Sequence, residues 1–146
     1  MALPDFNENG DLPAGVYRAT MREVVERFGG DTVARTRCTR TLLHVNDLAV
    51  RTGHLARFVI FGSYVTAKPD PNDVDVILVM DEDFHLDEVP LETRGLFDHA
   101  VAQARHGASI FWVKPSALIG EPVDDFIAHW QVRRDGTKRG IVEVVL

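Results

Sequence analysis

Phe58-Val59-Ile60-Phe61-Gly62-Ser63, the nine residues Tyr64 to Asn72, and then Asp73-Val74-Asp75-Val76-Ile77-Leu78-Val79-Met80 form the most informative part of the chain. A short, continuous apolar run ending in glycine suits a buried strand. The second run is rich in β-branched residues and suits another. A Pro- and Asp-containing loop, Thr66 to Asn72, connects them. In an extended chain, residues i and i+2 point to one face, so Asp73 and Asp75 project together while Val74 faces the core.

Toward the N-terminus the period changes. The first dozen residues, with Asn7, Asn9, Gly10 and Pro13, read as an irregular lead-in. Val24, Val25 and Phe28 predict a short helix over Tyr17 to Phe28, closed by Gly29-Gly30. Asp31 or Thr32 caps a longer helix to about Thr52, whose apolar residues Ala34, Cys38, Leu42, Val45 and Ala49 recur every three or four positions before Gly53. Toward the C-terminus, Pro90 through Arg105 predicts a helix with Leu96, Phe97, Ala100, Val101 and Ala104 facing in and Gly107 ending it. Ala108 to Val113 is a third strand, and Val123, Phe126, Ile127 and Trp130 mark another helix. Asp135-Gly136 is a turn before the last strand, Ile141 to Leu146. The order ααβ-βα-βα-β predicts an α/β (α+β) class, a small mixed sheet flanked by helices in a single domain spanning 1–146.

Two adjacent carboxylates at the start of a strand repel one another unless a cation lies between them. A hard divalent ion such as Mg²⁺ or Mn²⁺ takes oxygens from one or two carboxylates and completes its shell with phosphate oxygens. Gly62 permits close approach of the backbone to a ligand, and Ser63 offers a hydroxyl and an N–H to phosphate. Lys68, in the intervening loop, is within reach of the same phosphates as a flexible point charge, or is an ordinary exposed lysine. The pattern predicts a cradle for a metal-bound triphosphate.

These residues resemble the signature of the DNA polymerase β-like nucleotidyltransferase superfamily in its minimal bacterial form. The likeness extends through Tyr64-Val65-Thr66-Ala67-Lys68-Pro69 and Pro71-Asn72. It also takes in Leu12-Pro13-Ala14-Gly15, Trp130-Gln131, Arg134-Asp135-Gly136 and Lys138-Arg139-Gly140-Ile141. The resemblance implies a nucleotidyltransferase-like fold that moves a nucleoside monophosphate from a triphosphate, ATP foremost, to a protein or tRNA acceptor. It further implies Asp73 and Asp75 as catalytic metal ligands and Ser63 on the nucleotide phosphates, where the reading of the residues above also sets the Gly62 backbone and, as one of two alternatives, Lys68. A toxin–antitoxin or phage-defence setting, with a partner protein from a paired gene, belongs to the same implication. The chain departs from the pattern once. A third carboxylate is expected on the third strand, where Ser109 stands. Asp81 is about 20 Å of strand from Asp75, and Glu143 is expected at a solvated edge. The alternative is therefore a nucleotide-binding or interaction module of the same fold that has lost turnover, and a weaker one is a structural subunit that dimerises through its helices.

The formal net charge of −6 argues against coating nucleic acid non-specifically. Apolar stretches of at most about seven residues fall far short of the roughly 20 that cross a bilayer. Met1 to Gly10 carries acids and no basic, apolar leader, and the lone Cys38 reads as core, so a cytoplasmic protein is expected. Arg133, Arg134, Lys138 and Arg139 form a basic cluster that reads as a solvated hairpin, or as a contact for RNA or an acidic partner. The six histidines lack zinc-ligand spacing and read as structural or surface residues. Trp112 and Trp130 read as core.

Overall fold

A computed structural model describes residues 3–146; Met1 and Ala2 of the lead-in lie outside the described residues. Five strands, β1 (Val16–Thr20), β2 (Leu55–Phe61), β3 (Val74–Met80), β4 (Ala108–Val113) and β5 (Ile141–Val145), form one mixed sheet in the order β1-β5-β2-β3-β4. The β1–β5 and β3–β4 pairs are parallel, and β5–β2 and β2–β3 are antiparallel. The helices are α1 (Met21–Phe28), α2 (Val33–Arg51), α3 (Leu91–Arg94), α4 (His99–His106) and α5 (Val123–His129). The expected α+β class, a mixed sheet with helices packed on it, is what the chain adopts.

The helix expected from Tyr17 starts later. Val16–Thr20 is strand instead, aligned from Val16 beside Ile141 to Thr20 beside Val145. Thr20 then caps α1 reciprocally, its Oγ1 accepting from Glu23 N while Glu23 Oε1 accepts from Thr20 N. Thr32 caps α2, and Cys38, Leu42, Val45 and Ala49 are buried on its inner face as expected. Arg35 takes the buried place assigned to Ala34.

The long helix expected over Pro90–Arg105 is broken. After α3 the chain tightens into a turn at Gly95–Phe97, and Asp98 caps α4 through an oxygen that accepts from Val101 N. Phe97 is drawn into the core, its ring 4.9 Å from Phe84 and 5.5 Å from Trp112. Restarting the helix resets its phase. Ala102 is buried, whereas Ala100 and Ala104 are exposed.

Alternation along each strand sorts the sheet into two faces. Phe58, Ile60, Val74, Val76, Leu78, Ile110, Val142 and Val144 meet α1, α2 and α4 in the larger core. Val59, Ile77, Val79 and Ile141 meet Ile127 of α5 in a smaller one. Asp73, Asp75, Ser109, Phe61 and Phe111 share the parity of this second face, at the end of the sheet where β3 begins. Here the surface opens into a cleft.

Candidate functional site

The cleft has a volume of about 720 Å³, and Phe61, Gly62, Asp75 and Ser109 lie along one side of it. Parallel pairing of β3 with β4 sets Asp75 beside Ser109, and antiparallel pairing with β2 sets it beside Phe61. The next residue after Phe61 is Gly62, at φ +81. A β-carbon there would collide with Asp75 Oδ2, so glycine is needed for both the backbone conformation and the approach.

Asp73 and Asp75 stand on one face, as the i, i+2 spacing predicted. Burial first, and the charge of Asp73 second, push the Asp75 carboxyl up from 3.8 to about 6, against the pull of Ser109, Arg139 and His99. Ser109 Oγ lies 2.8 Å from Gln103 Oε1 and 3.3 Å from Asp73 Oδ2. A hydroxyl has one proton, and the shorter contact takes the larger share of it.

Among the described residues no group of three or more His, Cys, Asp or Glu is arranged to hold a metal. Asp75 lines the cleft while Asp73, beside it on the same face, does not; the pair still fits Mg²⁺ or Mn²⁺, which keep several water or phosphate ligands. Such an ion would also relieve the repulsion that raises Asp75.

Ser63 and Lys68 line a second, adjoining pocket of about 530 Å³ with Asn9, Gly10, Asp11 and Thr66. Arg133 and Arg139 line both pockets. The predicted residues are thus divided, Gly62 and Asp75 on one side of the arginines and Ser63 and Lys68 on the other. Ser63 opens only a three-residue 3₁₀ turn, Ser63–Val65.

Arg35 braces the loop that carries Ser63 and Lys68. Its guanidinium donates to the carbonyls of Phe28, Tyr64, Thr66 and Lys68, and the side chain is buried. Desolvation holds its pKa below the usual arginine value. No periodicity signals this role, because an arginine on the inner face of a helix looks like an interruption.

Glu143 is not at a solvated edge. β5 lies between β1 and β2, and the Glu143 carboxylate accepts from Arg57 Nε at 2.9 Å and Nη2 at 2.7 Å. Glu143 aligns with Val59, which aligns with Ile77, two strands across and two residues along from Asp75. That offset is about 12 Å. Glu143 serves the Arg57 pair, and Ser109 remains the residue beside Asp75. Asp81, at the far end of β3, meets His54 Nδ1 at 2.9 Å.

The last wall was not anticipated. Trp130 is half-buried, its ring 4.8 Å from Phe61 and 4.9 Å from Phe111, and it lines the cleft with His99, Phe111, Arg133, Arg134 and Arg139. Part of the supposed solvated hairpin therefore faces Asp75. The turn itself is as expected, with Gly136 N donating to Arg133 O and Val132 bridging to Lys138. Arg133 Nη1 lies 3.1 Å from Asp11 Oδ2, and Arg139 Nη1 3.8 Å from Asp11 Oδ1. Burial and the charge of Arg133 lower the pKa of Arg139. The basic run was the one signal in the sequence for this wall.

No helix among the described residues is long and apolar enough to cross a membrane. Cys38 is buried, as expected. Neither a search of curated proteins nor one of solved structures finds a match. One family model does match, over residues 4–145, and the chain belongs to that family of unknown function, DUF6932.

Proposed function

We propose that this protein is a cytoplasmic nucleotidyltransferase that moves a nucleoside monophosphate from a triphosphate, ATP foremost, to a protein or RNA acceptor. The observation that carries this proposal is the juxtaposition, in one cleft, of the Asp75 carboxylate and Gly62 with three arginines and the aromatic rings of Phe61, Phe111 and Trp130. Carboxylates suit a divalent ion, arginines suit phosphate, and rings suit a base. Mg²⁺ or Mn²⁺ held by Asp73 and Asp75 would supply charge neutralisation as the phosphoryl group is transferred.

The chain's own residues position the reactants. Gly62 lets the strand end approach the nucleotide, Ser63 and Lys68 offer donors to its phosphates, and Arg35 holds their loop. An acceptor hydroxyl oxygen forms a bond to the α-phosphorus while the bond to the α–β bridging oxygen breaks. Pyrophosphate leaves, and the acceptor proton passes to solvent. A second reading, a nucleotide-binding or interaction module without turnover, is favoured by one observation. Ser109, not an acid, stands beside Asp75. A toxin–antitoxin or phage-defence setting, with a partner encoded alongside, is part of the first reading.

The test is incubation of the protein with α-labelled NTPs, Mg²⁺ or Mn²⁺ and cell extract, against Asp73→Ala/Asp75→Ala. Label on a protein or RNA that requires the ion and both aspartates is expected. Absence of label with NTP binding intact would leave the second reading.

A further inference from the structure

Asp11 is a carboxylate only 7% exposed, set between two guanidiniums that face two pockets at once. It belongs to the N-terminal lead-in, and its position is fixed locally. Asn7 Oδ1 accepts from Asp11 N, and Asn7 N donates to Asp11 O. Gly10 O accepts from Ala67 N, which ties this loop to the one that carries Ser63 and Lys68.

The arginines are anchored as well. Gln131 Oε1 accepts from Gly15 N, Gly140 N donates to Leu12 O, and Arg139 N donates to Gln131 O. Gly140 has no room for a β-carbon against Pro13 O, Tyr17 and Leu12, so the hairpin base is pressed onto the lead-in. A guanidinium has five N–H donors. Asp11 accepts one hydrogen bond from Arg133 and is ion-paired with Arg139 at 3.8 Å, beyond hydrogen-bond reach, which leaves the other guanidinium donors to the pockets. One carboxylate against two guanidiniums leaves a net positive charge at the junction; Lys68 and Arg134 add to it, and Asp75 and Asp135 on the cleft side offset part of it.

We propose that Arg133 and Arg139, oriented by Asp11, form a metal-independent clamp for a polyphosphate chain lying across the junction of the two pockets. Arg133 and Arg139 are binding residues and Asp11 is a positioning residue. The clamp rests on the nucleotidyl-transfer reading for its natural ligand, the triphosphate of the nucleotide. It does not need the Asp73–Asp75 ion for its own binding.

The test is calorimetric titration of the full chain with inorganic tripolyphosphate, in chelator and low salt. Saturable binding of one tripolyphosphate per chain is expected. Arg133→Gln/Arg139→Gln should weaken it at least tenfold, and Arg139→Lys should also weaken it, because a point charge replaces the planar fork. Arg22→Gln, at a fully solvated position on α1, should bind as wild type does. Thermal melts check that each variant is folded; if the double variant is not, Arg133→Gln alone, at the more exposed position, carries the test.

Asp11→Asn separates positioning from charge. Removing a negative charge would by itself tighten anion binding, whereas loss of orientation weakens it. Weakening is expected, and tightening overturns the role of Asp11. No binding to wild type, or unchanged affinity in the folded arginine variants, overturns the clamp. So does arginine-dependent binding of a single-stranded RNA oligonucleotide that tripolyphosphate does not displace. Arginine-dependent binding by a wild-type chain that transfers no label in the presence of Mg²⁺ or Mn²⁺ would retain the clamp and reject the transferase. Transfer without arginine-dependent anion binding would do the reverse.

Discussion

The α-carbon of Gly62 lies against the carboxylate of Asp75, so close that a β-carbon on it would overlap Oδ2. One residue therefore controls both the turn out of β2 and the surroundings of an acid on β3. Gly62→Ala should combine a left-handed backbone penalty at φ +81 with this collision. A loss of about 2 kcal/mol or more is expected in chemical denaturation. A midpoint equal to wild type would show that the contact is looser than described.

Asp75 makes stability depend on pH in an unusual direction for an acid. Its folded value of about 6 exceeds the 3.8 of the free side chain. Between those values the folded chain holds a proton that the unfolded chain has released, so this contribution falls as pH rises from about 4 to 6. The full difference is at most about 3 kcal/mol, reduced by partial solvation. Asp75→Asn should therefore gain stability over wild type at pH 7.5 and little at pH 4. An equal difference at both pH values would contradict the burial and repulsion described.

Mg²⁺ should raise the melting temperature of the wild type at neutral pH and not that of Asp73→Asn/Asp75→Asn. At ten times its dissociation constant the gain is about 1.4 kcal/mol. Ser109→Asp sets a third carboxylate beside Asp75. It should tighten ion binding on the order of tenfold, because ligand charge sets affinity for hard cations. It should also destabilise the ion-free protein at pH 7.5. Titration of ion-free protein with Mn²⁺ checks both, and weaker binding by Ser109→Asp would exclude this site for the ion.

Glu143→Gln leaves the Arg57 guanidinium without its main charge partner in the interior of the sheet. A loss of about 2 kcal/mol is expected by thermal melt. Replacing both, as Arg57→Met/Glu143→Leu, should cost much less, because the charge left without a partner is Asp124, which also pairs with Arg57 at 2.6 Å but is solvated. Label transfer below the melting range should persist in the double variant. Its abolition would give Glu143 a part in the chemistry.

Arg35→Met removes five guanidinium hydrogen bonds to carbonyls while keeping much of the side-chain volume. Faster amide exchange at Thr66 and Lys68 than at Val76 and Ile77 is expected, with weaker nucleotide binding. Uniform acceleration across the chain would indicate a global loss of stability instead of a loosened loop.

Local chemistry made β2, β3 and α2 legible in the sequence. Phe58–Phe61, Val74–Met80 and the Cys38–Leu42–Val45–Ala49 stripe each carry their own period, and Thr32 announces a cap. The shared face of Asp73 and Asp75 follows from strand geometry alone. β1 was hidden because Val16–Thr20 becomes a strand by pairing with Ile141–Val145, more than a hundred residues later. The break at Gly95–Phe97 was hidden because burial of Phe97 against Trp112 outweighs a continuous helical pattern.

The sequence by itself determined the carboxylate pair, the glycine that approaches it and the α+β class. Only the tertiary structure decided what faces that pair. Placing β5 between β1 and β2 buries Glu143 against Arg57 and carries the hairpin after Trp130 to the mouth of the cleft. It also lays the lead-in beside that hairpin, so that Asp11 meets Arg133 and Arg139 across more than a hundred residues of chain. No local periodicity encodes such a meeting, because it depends on strand order and not on neighbours in sequence.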